Sequence, residues 1–108
     1  MKGECLRIYV DEARQHHGVL LWEWLLKKAS ALGVRGGSAF RAIGGFGRHH
    51  DVHESRFFEL AGTTGICVEF IVDDGEAEKV ISLLREEGVR VVFARMPVYF
   101  DVITPDVG

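Results

Sequence analysis

The chain has 108 residues, 47% of them hydrophobic and 27% charged, with 13 Lys and Arg against 16 Asp and Glu. These values fit one globular domain, residues 1–108, that buries roughly two-thirds of its unfolded surface, and they exclude a disordered chain or a disulfide mini-scaffold. The formal net charge of -3 and the lack of any basic run exclude a protein that coats nucleic acid, because phosphate binding needs concentrated Lys and Arg.

The opening run MKGECLRIYVDEARQ turns acidic after too few apolar residues for a signal sequence, and no apolar stretch reaches the about 18 residues of a membrane span. The expectation is a cytoplasmic chain that is not membrane-embedded. Cys5 and Cys67 sit far apart in apolar alternating runs, so they form no CxxC redox or zinc pair and read as two buried thiols.

CLRIYV, Cys5 to Val10, alternates Leu6, Ile8 and Val10 against Cys5, Arg7 and Tyr9, the period of a half-buried strand. His16 and His17 follow as a solvated turn, or as residues facing a neighbouring subunit. GVLLWEWLLKKASALG then predicts a helix: Leu21, Trp24, Leu25 and Leu32 fall at helical spacing, Lys27 and Lys28 lie toward its negative end, and Gly33 supplies a left-handed stop. SAFRAI, Ser38 to Ile43, is a second strand. GICVEFIV, Gly65 to Val72, is a third, with Ile66, Val68 and Phe70 on one face and Cys67 and Ile71 on the other.

Asp73 and Glu76 have the spacing of a capping box, opening a second helix with Ala77, Val80, Ile81 and Leu84 on its buried face and Gly88 at its end. VRVVFARMPVYFDVI supplies a fourth strand, in which Pro97 marks either an edge or a break before a short fifth segment. The tail from Asp101 to Gly108 either pairs with a neighbouring subunit or frays, and Pro105 with the final glycine favours fraying.

The element order βαββαβ defines an α+β class, a ferredoxin-like sandwich with two helices on one face of an antiparallel four-stranded sheet. A third strand apolar on both faces expects burial on both. With no third layer in the chain, self-association through the sheet into a cyclic homo-oligomer is the simplest cover. Gly44 to Thr64 separates strands two and three, a gap far longer than the two to five residues common in hairpins, and a long loop at such a place is usually functional or mobile.

The start of that gap carries the most specific pattern. RAIGGFG, Arg41 to Gly47, is closely similar to the Arg-Gly-x-x-Gly-Phe-Gly pattern of the PII-like family catalogued as domain of unknown function 190, with Ala42 where a glycine is common. The resemblance extends from about Leu6 to Val98. It implies a ferredoxin-like homotrimer related to the PII nitrogen-regulatory signalling proteins, with a small anionic ligand, often an adenine nucleotide, in clefts between subunits. It also implies that the loop between strands two and three, the 44–58 segment, regulates a partner protein, in the wider superfamily often a membrane transporter or an enzyme.

The loop base suits an anion on physical grounds. Gly44, Gly45 and Gly47, around Phe46, can take positive φ and turn successive N–H groups inward as a nest, flanked by the forked donors of Arg41 and Arg48. The plainer alternative, glycines that only let the strand leave the sheet, stays open, because G-G-x-G is a weak motif. No G-K-[ST] follows, which excludes a P-loop, and no parallel βαβ unit follows, which excludes a Rossmann site.

His49 and His53 are four apart and His50 and His53 three apart, so a helical turn would pair them as zinc or copper requires, with Asp51 or Glu54 completing the site. A metal-binding homo-oligomer is therefore the alternative function. The same residues permit acid–base chemistry, but no serine or cysteine nucleophile stands in a recognisable motif, so the chain reads as no enzyme. Trp24 belongs to the helical core stripe. Trp22 with Tyr9, Phe40, Phe57 or Phe58 offers a cleft to stack a base, although such aromatics are mostly core.

Overall fold

A computed structural model describes residues 1–45 and 65–106. Its organising element is β1 (Lys2–Asp11), which alternates buried and exposed residues and is hydrogen-bonded along both edges. On one side Glu4 to Asp11 pairs antiparallel with β5 (Gly65–Val72), and on the other Lys2 to Tyr9 pairs antiparallel with β6 (Val92–Tyr99). A short strand at Ser38–Arg41, β4 in chain order, pairs antiparallel with the outer edge of β5 and gives the sheet order β4-β5-β1-β6. This is the expected ferredoxin-like split βαβ sheet. β1 outruns the Cys5–Val10 alternation because backbone pairing extends past it, to Lys2 through β6 at one end and to Asp11 through β5 at the other.

Leu6, Ile8 and Val10 of β1 and Ile66, Val68, Phe70 and Val72 of β5 form one buried layer. Onto it pack α1 (Leu21–Ala31), through Leu21, Trp24, Leu25 and Ala29, and α2 (Asp74–Glu86), through Ala77, Val80, Ile81 and Leu84. Each buried Val, Leu, Ile or Phe among them contributes roughly 1.5–3 kcal/mol by leaving water, and each alanine less. Leu32, expected in the α1 stripe, is instead exposed at the C-cap, because the helix ends at Ala31 and Gly33 at φ 90 turns the chain away; Ala29 fills the place.

Both helices end in the same way. Gly33 N–H donates to Ser30 O and Val34 N–H to Ala29 O, each at 3.1 Å; at the end of α2, Gly88 N–H donates to Arg85 O at 3.1 Å and Val89 N–H to Leu84 O at 3.0 Å. These are Schellman pairs around a left-handed glycine, the stop that Gly33 and Gly88 predict. The start of α2 is the capping box expected at Asp73 and Glu76: Asp73 Oδ1 accepts from Glu76 N–H at 2.8 Å, and Glu76 Oε1 accepts from Asp73 N–H at 3.1 Å.

α1 has no side-chain cap. A two-residue-per-strand hairpin, β2 (Gln15–His16) and β3 (Val19–Leu20), leads directly into it, and Leu21 N–H donates to Arg14 O at 2.8 Å. The hairpin thus satisfies the first of the helix's unpaired N–H groups through a backbone acceptor. Its two central residues, His17 at φ 52 and Gly18 at φ 80, both lie at positive φ, as a type I′ turn requires.

Pro97 lies inside β6, opposite Glu4, and the edge position of β6 accommodates its missing N–H. No fifth strand follows among the described residues; Asp101 to Asp106 has no regular structure. β4 ends at Arg41 rather than Ile43, with one more contact from Ala42 N–H to Gly65 O at 2.8 Å.

The sheet's second face carries no layer of the described chain. Its register aligns Val92, Tyr9, Cys67 and Phe40 in one row, Ala94, Arg7, Glu69 and Ser38 in the next, and Met96, Cys5 and Ile71 in a third. Tyr9, Phe40, Ile71 and Val92 are each about half exposed there.

Gly37 sits where the chain enters β4, and a Cβ at this position would lie 2.5 Å from Phe70 Cε1 and 3.1 Å from Leu26 Cδ2. Phe70 is fully buried and cannot retreat. Gly37→Ala is expected to lower unfolding free energy by about 1–3 kcal/mol in urea titration, whereas Gly36→Ala, with nothing within 4 Å, stays within about 0.5 kcal/mol.

Candidate functional site

β4 delivers Arg41 to the sheet end where the long segment departs, and Gly65 begins the strand on which it returns. In register, Arg41 lies across β5 from Ile66, which pairs in turn with Val10 of β1, so the acidic residues after Val10 reach the same corner. There Glu12 Oε1 accepts from Arg41 Nε at 2.9 Å and also from Nη2. The carboxylate raises the Arg41 pKa further above its ordinary value. An anion at this corner would therefore meet an arginine already engaged.

Of the two described glycines of the candidate nest, Gly45 takes φ 155, which side chains rarely adopt, and Gly44 does not take positive φ. At both, no heavy atom of the described residues lies within 4 Å of where a Cβ would stand. Phe46, Gly47 and Arg48, together with His49, His50 and His53, lie outside the described residues, as do Phe57 and Phe58.

A second charged corner surrounds Arg95 of β6. Glu4 receives it in a bidentate pair, Nε to Oε1 at 2.6 Å and Nη2 to Oε2 at 2.7 Å, while Nη1 donates to Glu78 Oε1 at 2.6 Å. Asp73, Asp74 and Lys2 join them around an open depression. Four carboxylates against two cations make it a poor seat for an anion. Arg95 holds the Glu4 carboxyl below its ordinary pKa of 4.5, while the neighbouring Glu4 raises that of Asp74.

On the uncovered sheet face, Cys5 Sγ donates to Glu69 Oε1 at 3.0 Å, and Glu69 also pairs with Arg7 Nε at 3.5 Å. Burial, then Glu69, raises the Cys5 thiol pKa, and burial raises that of Cys67. Both therefore stay protonated and weakly nucleophilic. Cys67 is half-buried rather than buried, because it stands in the uncovered row beside Tyr9 and Phe40. Trp22 packs against the helix-side core, so the sheet separates it from Tyr9 and Phe40, and the three line no common cleft within one chain.

His16 and His17 stand in a turn in which His17 is exposed, as expected, and they also meet the end of α2. Their Nε2 atoms lie 2.9 and 3.0 Å from the same oxygen, Glu87 Oε1. The two histidines together hold the Glu87 carboxyl below its ordinary pKa. The sequence offers H-H before the first helix as a signal, but Glu87 is 70 positions from His17 and joins it only through the fold.

The profile of the family described as uncharacterized ACR, domain of unknown function 190, matches residues 3–98 of this chain. A UPF0166 protein of Aquifex aeolicus (strain VF5) is 31% identical over 86 residues, which cover 80% of this chain and 79% of that protein. The crystal structure of a protein from Thermus thermophilus, provisionally described as PII-like and signalling, superposes with a TM-score of 0.59 at 20% identity, over 90% of this chain and 87% of that one. At that identity the likeness establishes the fold, in agreement with the ferredoxin-like expectation.

The Glu4–Arg95 pair makes stability depend on acidity. Because the folded pKa of Glu4 lies below its ordinary 4.5, pairing stabilises the fold above that pH and is lost as pH falls through the folded value. Glu4→Gln is expected to lower the urea midpoint at neutral pH, with the gap to wild type narrowing as pH falls below the ordinary 4.5. A gap of equal size at pH 7 and pH 3 would mean that the ion pair is not its source.

Proposed function

Since the chain belongs to the domain of unknown function 190 family, we propose that it acts as a PII-like regulatory protein rather than an enzyme: a cytoplasmic, one-domain homotrimer that binds a small anion and signals to a partner protein. The observation that carries this reading is the uncovered sheet face, whose apolar row from Val92 to Phe40 ends at the strand from which the long segment springs. Pairing that face between copies buries Tyr9, Phe40, Ile71 and Val92 and brings the end of β4, where the long segment departs, close to the interface. Burial of apolar area at roughly 25 cal/mol per Å² favours such an assembly, and a closed ring leaves no face open.

In this reading the effector, with an adenine nucleotide as first candidate, occupies the cleft between copies beside Gly44 to Arg48. Its charge competes with Glu12 for Arg41, so binding releases the end of β1 from the loop base. A ligand shifts the segment only by its difference in affinity for two arrangements, and exchange of Glu12 for effector oxygens supplies such a difference. The partner, a membrane transporter or an enzyme by analogy with the PII superfamily, reads the new arrangement.

Native mass spectrometry of the tag-free chain is expected to give a trimer, and Phe40→Asp with Ile71→Asp monomers. A wild-type monomer would overturn the intersubunit cleft. Titration calorimetry with ATP and ADP is expected to show binding that Arg41→Ala and Arg48→Ala each weaken by about 10-fold or more, the equivalent of a charge-assisted hydrogen bond, with the trimer retained. Glu12→Gln is expected to tighten it several-fold. Unchanged affinity in both arginine variants would sink the anion site.

A further inference from the structure

His16 and His17 are consecutive, and consecutive residues of an extended chain point in opposite directions. Here they do not. The left-handed conformation of His17, φ 52, followed by Gly18 at φ 80, folds the hairpin so that both rings converge, with centroids 4.1 Å apart. Histidine is among the few non-glycine residues that tolerate this region. The ring of His16 is held edge-on against buried Trp24 at 4.5 Å between centroids, which fixes its direction. Arg14 Nη1 donates to Arg90 O at 2.5 Å and clamps the hairpin to the segment that follows α2.

The partner they converge on is oddly placed for a carboxylate. Glu87 is the C-cap residue of α2, where the exposed carbonyl ends disfavour negative charge. Among the described residues its ion-pair partners are the two histidines, which supply positive charge only when protonated. A cation bound among the three groups resolves both conditions at once. Each neutral imidazole can hold its proton on Nδ1 and turn the Nε2 lone pair inward, beside a carboxylate oxygen.

We propose that His16, His17 and Glu87 form a binding site for a divalent transition-metal ion of the zinc class, taken by two imidazole Nε2 atoms and one carboxylate oxygen, with the remaining coordination left to water or to a donor from another molecule. The three ligand atoms lie within 4.8 Å of one another. Ligands about 2.0–2.1 Å from a tetrahedral zinc stand about 3.3 Å apart, so the 2.9 and 3.0 Å contacts to Glu87 open by a few tenths of an ångström, while the two Nε2 atoms, within 4.8 Å of each other, close by at most about 1.5 Å through side-chain rotation. The site is open on the His17 side, where 68% of the side chain is accessible, and closed on the His16 side, at 17%. An ion therefore enters without unfolding the hairpin. Two nitrogens and one oxygen suit zinc, nickel or copper over calcium and magnesium, which prefer all-oxygen sites. This proposal uses none of His49, His50 and His53 and is independent of the trimer reading.

The test uses the full chain without an affinity tag, stripped with chelator and titrated calorimetrically with zinc near neutral pH, with cobalt absorption in the visible as the report on coordination. The expected result is one zinc per chain and an intense, tetrahedral-type cobalt spectrum. His17→Asn, which keeps a residue tolerant of the left-handed region, and Glu87→Gln, which keeps the shape, are each expected to weaken zinc by at least about tenfold. Their metal-free unfolding midpoints, read in parallel, establish that both variants are folded. The combined variant H49Q/H50Q/H53Q is expected to keep the equivalent of zinc and its spectrum. Absence of zinc binding by the wild type, wild-type affinity in both folded single variants, or loss of the equivalent in the combined variant would each overturn the proposal.

Discussion

β1 is laddered on both edges, and every other placement in the molecule is measured from it. Because β5 and β6 fix its backbone along nearly its whole length, its side chains have no choice of face: Leu6, Ile8 and Val10 go to the helices and Cys5, Arg7 and Tyr9 to the opposite side. A slip of one residue would exchange the two sets and expose the core, so register and burial enforce one another. The same ladder carries Asp11 and Glu12 to the corner where β4 ends, and Glu4 to the corner where Arg95 waits.

The two corners differ in kind. Arg95 is held by two carboxylates and its surroundings are acidic, so its work is to tie β6 to β1 and to α2. Arg41 is held by Glu12 at the mouth of the long segment and is about two-thirds exposed, so another anion can compete for it. This contrast, rather than the mere presence of arginine, is what distinguishes a brace from a candidate binding group.

The hairpin before α1 joins local and distant structure in a few residues. It pairs the first N–H of α1 through Arg14 O, reaches the α2 end through the Arg14 side chain, and presents two imidazoles to Glu87. The turn that makes this geometry is local, set by Gly18 and by a histidine that tolerates left-handed backbone. What it faces is not local.

Much of the fold was legible because it rests on short-range rules. The alternation of β1 and β5, the capping box at Asp73 and Glu76, and the glycine stops at Gly33 and Gly88 involve residues only a few positions apart, and all stand in the structure as the pattern implies. The RAIGGFG pattern likewise carried the family, to which the chain belongs, although most of that loop lies outside the described residues. The exposure of Leu32, the hairpin in place of a cap, the separation of Trp22 from Tyr9 and Phe40, and the partners of Arg41, His16 and His17 were decided by tertiary structure. Each depends on which strand lies beside which and on where a helix end falls, and those distances arise from packing between segments remote in sequence, which no local spacing encodes.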